Sequence, residues 1–357
     1  MIQGCYFMLA LAVVLFTASQ YFSPIILRDI IESPQVYDAT ADYLHWRTYG
    51  IFFSFLCVMF RAYYVGITQT KILTINSVVM LLSNVVLNYC LIFGKGGFPV
   101  MGIAGAAIAS SVSEAVSLLF FIIYTGTTAD KRKYGFRRAF TFRPHLLKGM
   151  LSISGWTMVQ SFISVSIWFI FFLAIEHLGE RPLAVTNIVR NISALLIMVI
   201  SAFATTAGAL ISNQIGAGEQ RYLFRTCGMT LNLTYAILVP LLVILCLFPE
   251  PVLRVFTDNP SLIAASINSV YVMSTSTLIM APAFILFNAV SGTGNTKAGF
   301  IMEMISLTVY TAAVYYIVIR LKPDVALCWF SEHVYGIALI ALAWWYLKSG
   351  KWRGKKV

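Results

Sequence analysis

Four ionisable side chains lie deep within strongly apolar stretches of the sequence: Arg61, Glu114, Arg190 and Glu303. A charged side chain at the centre of a bilayer costs about 2.5–3.5 kcal/mol on insertion scales, so such residues are usually paired or functional. Glu114 lies nearest the middle of its stretch, in a run of small residues. It is a candidate for binding a coupling cation or a proton, and the alternative is an acid that is paired within one helical lobe.

The other three ionisable residues lie closer to the ends of their stretches. Arg61 and Glu303 are candidates for a gate at the end that we assign below to the cytoplasm, although snorkelling or structural pairing is favoured for both. Arg190 follows Asn187 by one helical turn, and both are candidates for lining a substrate cavity. For Arg190, a pair that stabilises its lobe is an equal alternative.

Two asparagines provide a second set of polar groups. Asn84 and Asn88 are one helical turn apart and therefore share a face. Because hard cations are bound by oxygen ligands, the two amides join Glu114 as candidate cation-binding residues. The alternative is hydrogen bonding between helices, which contributes about 0.6–2 kcal/mol.

A third set forms a stripe of polar and aromatic side chains at helical spacing. Gln160, Ser164 and Trp168 follow one another at intervals of four residues. Such a face suits a cationic, amphipathic substrate, because a cation is attracted to the face of an indole ring. The alternative, slightly favoured, is ordinary packing with one satisfied amide.

These residues require membrane helices to position them. The chain has 357 residues, of which 59% are hydrophobic and 11% are charged, whereas soluble domains carry roughly 25% charge. A helix needs about 20 mainly apolar residues to cross a bilayer. Ten stretches qualify, which predicts an all-α polytopic membrane protein: 4–27, 47–67, 72–94, 101–125, 149–175, 182–212, 225–248, 262–291, 298–320 and 327–347.

The loop charges predict the orientation. The net charge of +11 is concentrated in a linker at 131–147 and a tail at 348–357, which the positive-inside rule assigns to the cytoplasm. Ten spans then place both chain ends in the cytoplasm and predict a multi-pass protein of the inner (plasma) membrane. Basic loops in a strongly hydrophobic chain do not indicate nucleic-acid binding. The six cysteines form no CxxC motif, so they indicate neither a zinc site nor disulfides.

An internal repeat relates the two halves at a constant spacing of 226 residues. Its matches are Leu27-Arg28 with Leu253-Arg254, Pro34 with Pro260, Gly66 with Gly292, and Thr70-Lys71 with Thr296-Lys297. The organisation expected is a four-span lobe at 1–130, the linker, a six-span lobe at 148–347 and the tail. Parallel repeats place the pathway between the lobes. We therefore expect a version of a twelve-span transporter that lacks two spans and, alone, is poorly stable and inactive.

Several motifs in order resemble the multidrug and toxic compound extrusion (MATE) family of transporters. They are 61–71 (RAYYVGITQTK), 84–94 (NVVLNYCLIFG), 97–109 (GFPVMGIAGAAIA), 213–219 (NQIGAGE) and 291–297 (SGTGNTK). The resemblance spans nearly the whole chain and lacks the first two family helices. It implies two six-helix lobes in a V, alternating access driven by Na⁺ or H⁺, and bulky, often cationic drugs as substrates.

Two departures from the family pattern bear on the coupling ion. The amino-terminal cation site of the family has an asparagine-x-x-x-acid pattern, which here reads Asn84 and Asn88. The acids that some members carry in the carboxyl-terminal lobe correspond here to Val165 and Met280. The resemblance therefore favours the amino-terminal site over a carboxyl-terminal sodium site.

The predicted function is a monomeric, cation-coupled antiporter for small amphipathic or cationic substrates. The first alternative is a flippase for lipid-linked oligosaccharides or peptidoglycan precursors, which needs a cationic cavity that only Arg190 and Arg61 could supply. A further alternative is an inactive fragment. An enzyme is not expected, since no His, Asp or Ser cluster occurs, and without a GxxxxGK[ST] motif ATP is not the direct driver. No metal and no cofactor beyond the coupling ion is expected.

Overall fold

The structure is a computed structural model that describes residues 2–30, 34–128, 143–321, 324–350 and 352. Most of the predicted basic linker and tail lies outside these residues. The described chain is helical, which confirms the all-α prediction. Its helices are α1 (Ile2–Ile30), α2 (Pro34–Arg47), α3 (Gly50–Gly66), α4 (Lys71–Phe93), α5 (Gly102–Thr128), α6 (Pro144–Glu176), α7 (Glu180–Gly216), α8 (Leu223–Leu247), α9 (Pro249–Arg254), α10 (Pro260–Gly292), α11 (Thr296–Val314), α12 (Val325–Cys328) and α13 (Phe330–Ser349).

Nine helical segments of the described chain are long and apolar enough to cross a membrane, and a bent pair raises the number to ten. The pair joins Val36–Arg47 to Gly50–Gly66 with a bend of 45°. The sequence predicted a span at 47–67 preceded by a loop. The prediction of a loop is wrong, since residues Pro34–Arg47 form helix α2. Hydropathy misses α2 because polar side chains such as Asp38, Asp42 and His45 interrupt it.

The chain divides into two compact units, Met1–Gly149 and Met150–Val357. In the first unit, α5 packs against α2, α3 and α4, while α1 packs against α3. In the second unit, α10 is the central helix and packs against α7, α8 and α13. Large apolar side chains such as Ile200, Leu238 and Met273 are fully buried in its core.

Small residues let α7 and α10 approach at backbone distance. A Cβ atom added to Gly292 would lie 2.5 Å from the carbonyl oxygen of Gly208, and one added to Gly208 would lie 2.9 Å from that of Asn288. In a bilayer, close packing of this kind drives helix association, because lipid is as apolar as the side chains. The two glycines therefore fix the α7–α10 contact on which the site described below depends.

The helix boundaries follow the sequence repeat. Helix α2 begins at Pro34 and α10 at Pro260, while α3 ends at Gly66 and α10 at Gly292. Proline is favoured at the first position of a helix because its missing N–H would be unpaired there. The bent pair α2–α3 is thus the counterpart of the continuous helix α10.

Candidate functional site

In the first unit, Glu114 is held by an arginine. Its Oε1 accepts a hydrogen bond from Arg47 Nη2 at 2.7 Å, and its Oε2 accepts one from Nη1 at 3.0 Å. This bidentate geometry is the strongest form of the arginine–carboxylate pair. Both oxygens are engaged, and the Glu114 side chain is only 9% exposed. The structure thus shows the paired acid that the sequence left open, and cation binding at Glu114 stays a prediction.

The ion pair lies at the bend between α2 and α3. Arg47 ends α2, Gly50 begins α3, and a Cβ atom at Gly50 would lie 2.5 Å from Glu114 Oε2. Ser111 of α5 donates to the carbonyl of Trp46 at 3.1 Å, which satisfies a backbone group near the break. The sequence interpretation overlooked Arg47 because it stood at the boundary of the predicted span.

The two asparagines contact each other. Asn88 Nδ2 donates to Asn84 Oδ1 at 2.9 Å, and Asn84 Nδ2 donates to Ser110 Oγ at 3.4 Å. Asn88 Oδ1 is buried and has no hydrogen-bond partner among the described residues. One amide oxygen is therefore free for a cation, whereas the Glu114 carboxylate is bound elsewhere. No described hydrogen bond joins either asparagine to Glu114, and a cation shared by the three residues stays a prediction.

The second unit contains a cavity of about 490 Å³. Of the residues predicted to line a substrate cavity, Ser164, Trp168 and Arg190 do so, whereas Gln160 and Asn187 are not among its lining residues. The wall is mainly apolar and is formed by Ser164, Val165, Trp168, Arg190, Ser193, Ala194, Ile197, Met198, Ser201, Met280, Phe284, Leu307, Tyr310, Glu332 and Tyr335. Val165 and Met280, which replace family acids, are in this wall.

One buried acid, Glu332, lines the cavity, and a second, Glu303, contacts two of the lining residues. Glu303 on α11 is 3% exposed, and its Oε1 lies within hydrogen-bond distance of Ser164 Oγ and Tyr335 Oη, both at 2.9 Å. Glu332 on α13 is 9% exposed and accepts a hydrogen bond from Tyr310 Oη at 3.0 Å. The rings of Tyr310 and Tyr335 pack edge to face with centroids 5.8 Å apart. Two acid–tyrosine pairs therefore stand side by side along α11 and α13.

The sequence interpretation overlooked Glu332 and its tyrosine neighbours. Glu332 was detectable, since it is an acid inside the predicted span 327–347. Tyr310 and Tyr335 gave no such signal among 18 tyrosines, because only the packing of α11 against α13 brings them to the acids.

The two candidate arginines have different surroundings. The Arg190 guanidinium lies 5.1 Å from the ring centroid of Phe172, a cation–π contact at the cavity wall. Arg61 is exposed, and within the described part of the chain neither arginine forms an ion pair. The described partners of Glu303 are hydroxyl groups of its own unit, so its pairing with Arg61 in a gate stays a prediction. No three His, Cys, Asp or Glu side chains of the described residues come together as a metal site.

Long apolar helices, broken and closely packed, with charges buried between them, define a polytopic membrane protein. The family model named MatE matches residues 1–90 and 157–317, which is well over half of the chain. The chain therefore belongs to the MatE family, which confirms the resemblance seen in the sequence motifs.

The relatives agree with this assignment. The chain is similar to the probable multidrug resistance protein NorM of Thermotoga maritima, with 26% identity over 77% of this chain and 59% of the relative. It is also similar to the uncharacterized transporter YisQ of Bacillus subtilis, with 25% identity over 72% of this chain and 56% of the relative. The chain thus spans less than two thirds of the length of these relatives.

Solved structures show the same fold. A MOP superfamily transporter from Pyrococcus furiosus, described as having a binding pocket of reversed polarity, aligns with a TM-score of 0.86 and 16% identity over 98% of this chain and 78% of that chain. The Vibrio cholerae MATE transporter VcmN in the bent form aligns with a TM-score of 0.80 and 13% identity. The alignment covers 98% of this chain and 77% of that chain. At these identities the likeness establishes the fold alone.

Proposed function

We propose that the chain exports amphipathic, often cationic compounds across the plasma membrane by alternating access, in exchange for Na⁺ or H⁺. The observation that carries the proposal is the cavity of about 490 Å³ in the second unit, which has apolar walls and an acid, Glu332, at its surface. Ligand pockets of this kind combine a mainly apolar lining with a few polar groups that set orientation.

The chemistry of the lining supports an amphipathic cation as the substrate. Trp168 is 37% exposed and presents its indole ring at the cavity, next to Phe172 at 4.9 Å between centroids. The ring face attracts an organic cation, and the acid Glu332 offers an opposite charge when it is ionised. The names of the NorM relatives as multidrug resistance proteins support the same substrate class.

Trp168→Ala tests the substrate role, and Trp156→Ala is its matched control. Both tryptophans are on α6 and are similarly exposed, at 37% and 40%, but Trp156 packs on Phe300 and does not line the cavity. Export by the chain would overturn the expectation from the sequence that it is inactive alone: growth on ethidium and a fluoroquinolone in a pump-deficient host should then exceed the empty vector. Trp168→Ala should weaken that growth, and Trp156→Ala should leave it unchanged. No resistance from a chain that has inserted in the membrane would contradict export and support the inactive fragment.

A flippase for lipid-linked precursors is the second candidate. The observation in its favour is Arg190, a cation at the cavity wall with no ion-pair partner among the described residues. A polyanionic substrate needs more positive charge than one guanidinium in a cavity that the acid Glu332 also lines. Translocation of a fluorescent lipid pyrophosphate in vesicles, without drug export, would establish the flippase instead.

A further inference from the structure

We propose that Glu303 is a proton-binding residue of the second unit, oriented by Ser164 and Tyr335 at the cavity wall. The link between this proton and transport rests on the proposed export function. The proposal itself concerns the protonation of one carboxyl group, and it follows from the hydrogen atoms available at the site.

The contacts around Ser164 require more hydrogen atoms than an ionised Glu303 leaves available. Ser164 Oγ lies 2.9 Å from the carbonyl oxygen of Gln160 and 2.9 Å from Glu303 Oε1. A hydroxyl has one hydrogen to donate, and a carbonyl oxygen can only accept. If Ser164 donates to Gln160, the contact with Glu303 is a hydrogen bond only when the carboxyl group is the donor.

A protonated Glu303 satisfies every contact. Its Oε1–H donates to Ser164, Ser164 donates to the carbonyl of Gln160, and Tyr335 Oη donates to the same Oε1 at 2.9 Å. Each of the three contacts then has its own hydrogen. With an ionised carboxylate, the single hydrogen of Ser164 must serve two acceptors.

The second carboxyl oxygen supports the same state. Glu303 Oε2 is buried and has no hydrogen-bond partner among the described residues, and the side chain is 3% exposed. An ionised carboxylate carries half its charge on that oxygen, and burying charge without a partner is costly. In the neutral acid, Oε2 is a carbonyl oxygen, whose missing partner costs much less.

Other titratable groups decide when the proton leaves. On α11 and on α13, which packs against it, these groups are Tyr310, Glu332, His333 and Tyr335, and of these Tyr335 contacts Glu303. In the described part of the chain none of them forms an ion pair with Glu303. A negative charge on Glu332 would favour the protonated form of Glu303, because two negative charges repel. A cation that enters the cavity favours the ionised form and expels the proton, which gives an exchange of one for the other.

The ligand is a proton rather than a metal cation. Hard cations are bound by several oxygen ligands, usually including carboxylates or carbonyls. The hydrogen-bond partners of Glu303 are two hydroxyl groups, Ser164 and Tyr335. A sodium site would need further carboxylate or carbonyl ligands, and the hydrogen-bond contacts described for Glu303 include neither.

Labelling with dicyclohexylcarbodiimide tests the proposal on the chain of residues 1–357 in lipid vesicles. A protonated carboxyl group in apolar surroundings adds across the N=C=N unit of the reagent, and the product is a stable acylurea. Peptide mass spectrometry locates this modification. In potassium buffer, labelling at Glu303 should be at least about tenfold greater near pH 6 than near pH 9, because the protonated fraction falls tenfold per unit above the midpoint. Glu303→Gln should abolish it, and Glu219, exposed after α7, should stay unlabelled.

Two further variants separate this arrangement from a simple buried carboxylate. Ser164→Ala removes the acceptor of the acid hydrogen, so the pH at which labelling is halved should fall. Tyr335→Phe removes a donor that favours the ionised form, so that pH should rise. If Ser164 only donates to an ionised carboxylate, both variants should raise the pH at which labelling is halved. Shifts in the same direction would therefore overturn the proposal.

Three other outcomes also overturn it. They are no labelling at Glu303, equal labelling near pH 6 and near pH 9, and protection by sodium but not by potassium, which would indicate a metal site. Protection by tetraphenylphosphonium supports exchange at the cavity, and its absence refutes that exchange. Absence of drug export with pH-dependent labelling intact refutes the proposed function and leaves the proton site established.

Discussion

The Arg47–Glu114 pair yields a prediction whose magnitude follows from burial. Removing one partner of a fully buried ion pair costs about 3–5 kcal/mol, because the other charge is left without compensation. Here the exposures differ, at 33% for Arg47 and 9% for Glu114. Arg47→Met leaves the buried carboxylate without a partner and should lower the free energy of unfolding by about 3 kcal/mol. Glu114→Gln leaves the more exposed guanidinium without a partner and should lower it by about 1–2 kcal/mol.

The double variant tests the coupling between the two side chains. If the pair acts as a unit, Arg47→Met with Glu114→Gln should cost about 2 kcal/mol less than the sum of the single changes. Unfolding can be followed in detergent by the reaction of Cys57 with a thiol dye. Cys57 is 6% exposed, and its Sγ lies 3.8 Å from the backbone oxygen of Glu114, so it reports on this part of the first unit.

The expected shifts are measurable. A change of 1 kcal/mol moves Tm by about 2–4 °C for a domain of this size, so Arg47→Met should lower Tm by about 6–12 °C. Strictly additive effects of the two substitutions would refute the structural role of the pair. Unchanged stability of Glu114→Gln together with an altered ion dependence of transport would instead support the cation-binding role predicted from the sequence.

Three further predictions concern packing, coupling and topology. Gly292→Ala should lower stability by about 1–3 kcal/mol in thermal unfolding. The control is its repeat counterpart, Gly66→Ala, which should have little effect because nothing lies within 4 Å of the added Cβ. Equal effects would contradict the close α7–α10 contact. Asn84→Ala or Asn88→Ala should weaken the dependence of dye efflux on imposed sodium or proton gradients more than expression, and unchanged ion dependence would leave only interhelical bonding. Single cysteines in the basic linker and the tail should resist an impermeant thiol reagent in intact cells, and labelling of either from outside would reverse the orientation.

Hydropathy predicted the helices wherever a span is uniformly apolar, and it was wrong where a helix carries polar residues. The predicted span 47–67 captured only the second part of the bent pair, because Asp38, Asp42 and His45 make α2 look like a loop. These side chains are tolerated in a helix because backbone hydrogen bonds, not hydropathy, decide its continuity. Only long-range contacts, such as Ser111 with the carbonyl of Trp46, reveal why the helix breaks near Arg47.

The candidate site was predictable in its parts but not in its assembly. The helical spacing of Gln160, Ser164 and Trp168 identified one face of α6, and two of these residues line the cavity. The spacing could not show that Ser164 reaches Glu303, since their separation of 139 residues is closed only by tertiary packing. Glu303 was therefore predicted as part of a gate from its depth alone, while its contacts connect it to the cavity wall.

The sequence repeat explains why α2–α3 bends and α10 does not. At the repeat spacing, Met273 of α10 stands in the place of Arg47, and Ser276 stands in the place of Gly50. Met273 is 0% exposed in the apolar core, and Ser276 donates to the Met273 carbonyl at 2.8 Å within an unbroken helix. The second copy has neither a charge that must reach an acid on another helix nor a glycine that makes room for it. The bend of 45° therefore follows from the ion pair and its adjoining glycine, not from the apolar composition that the two copies share.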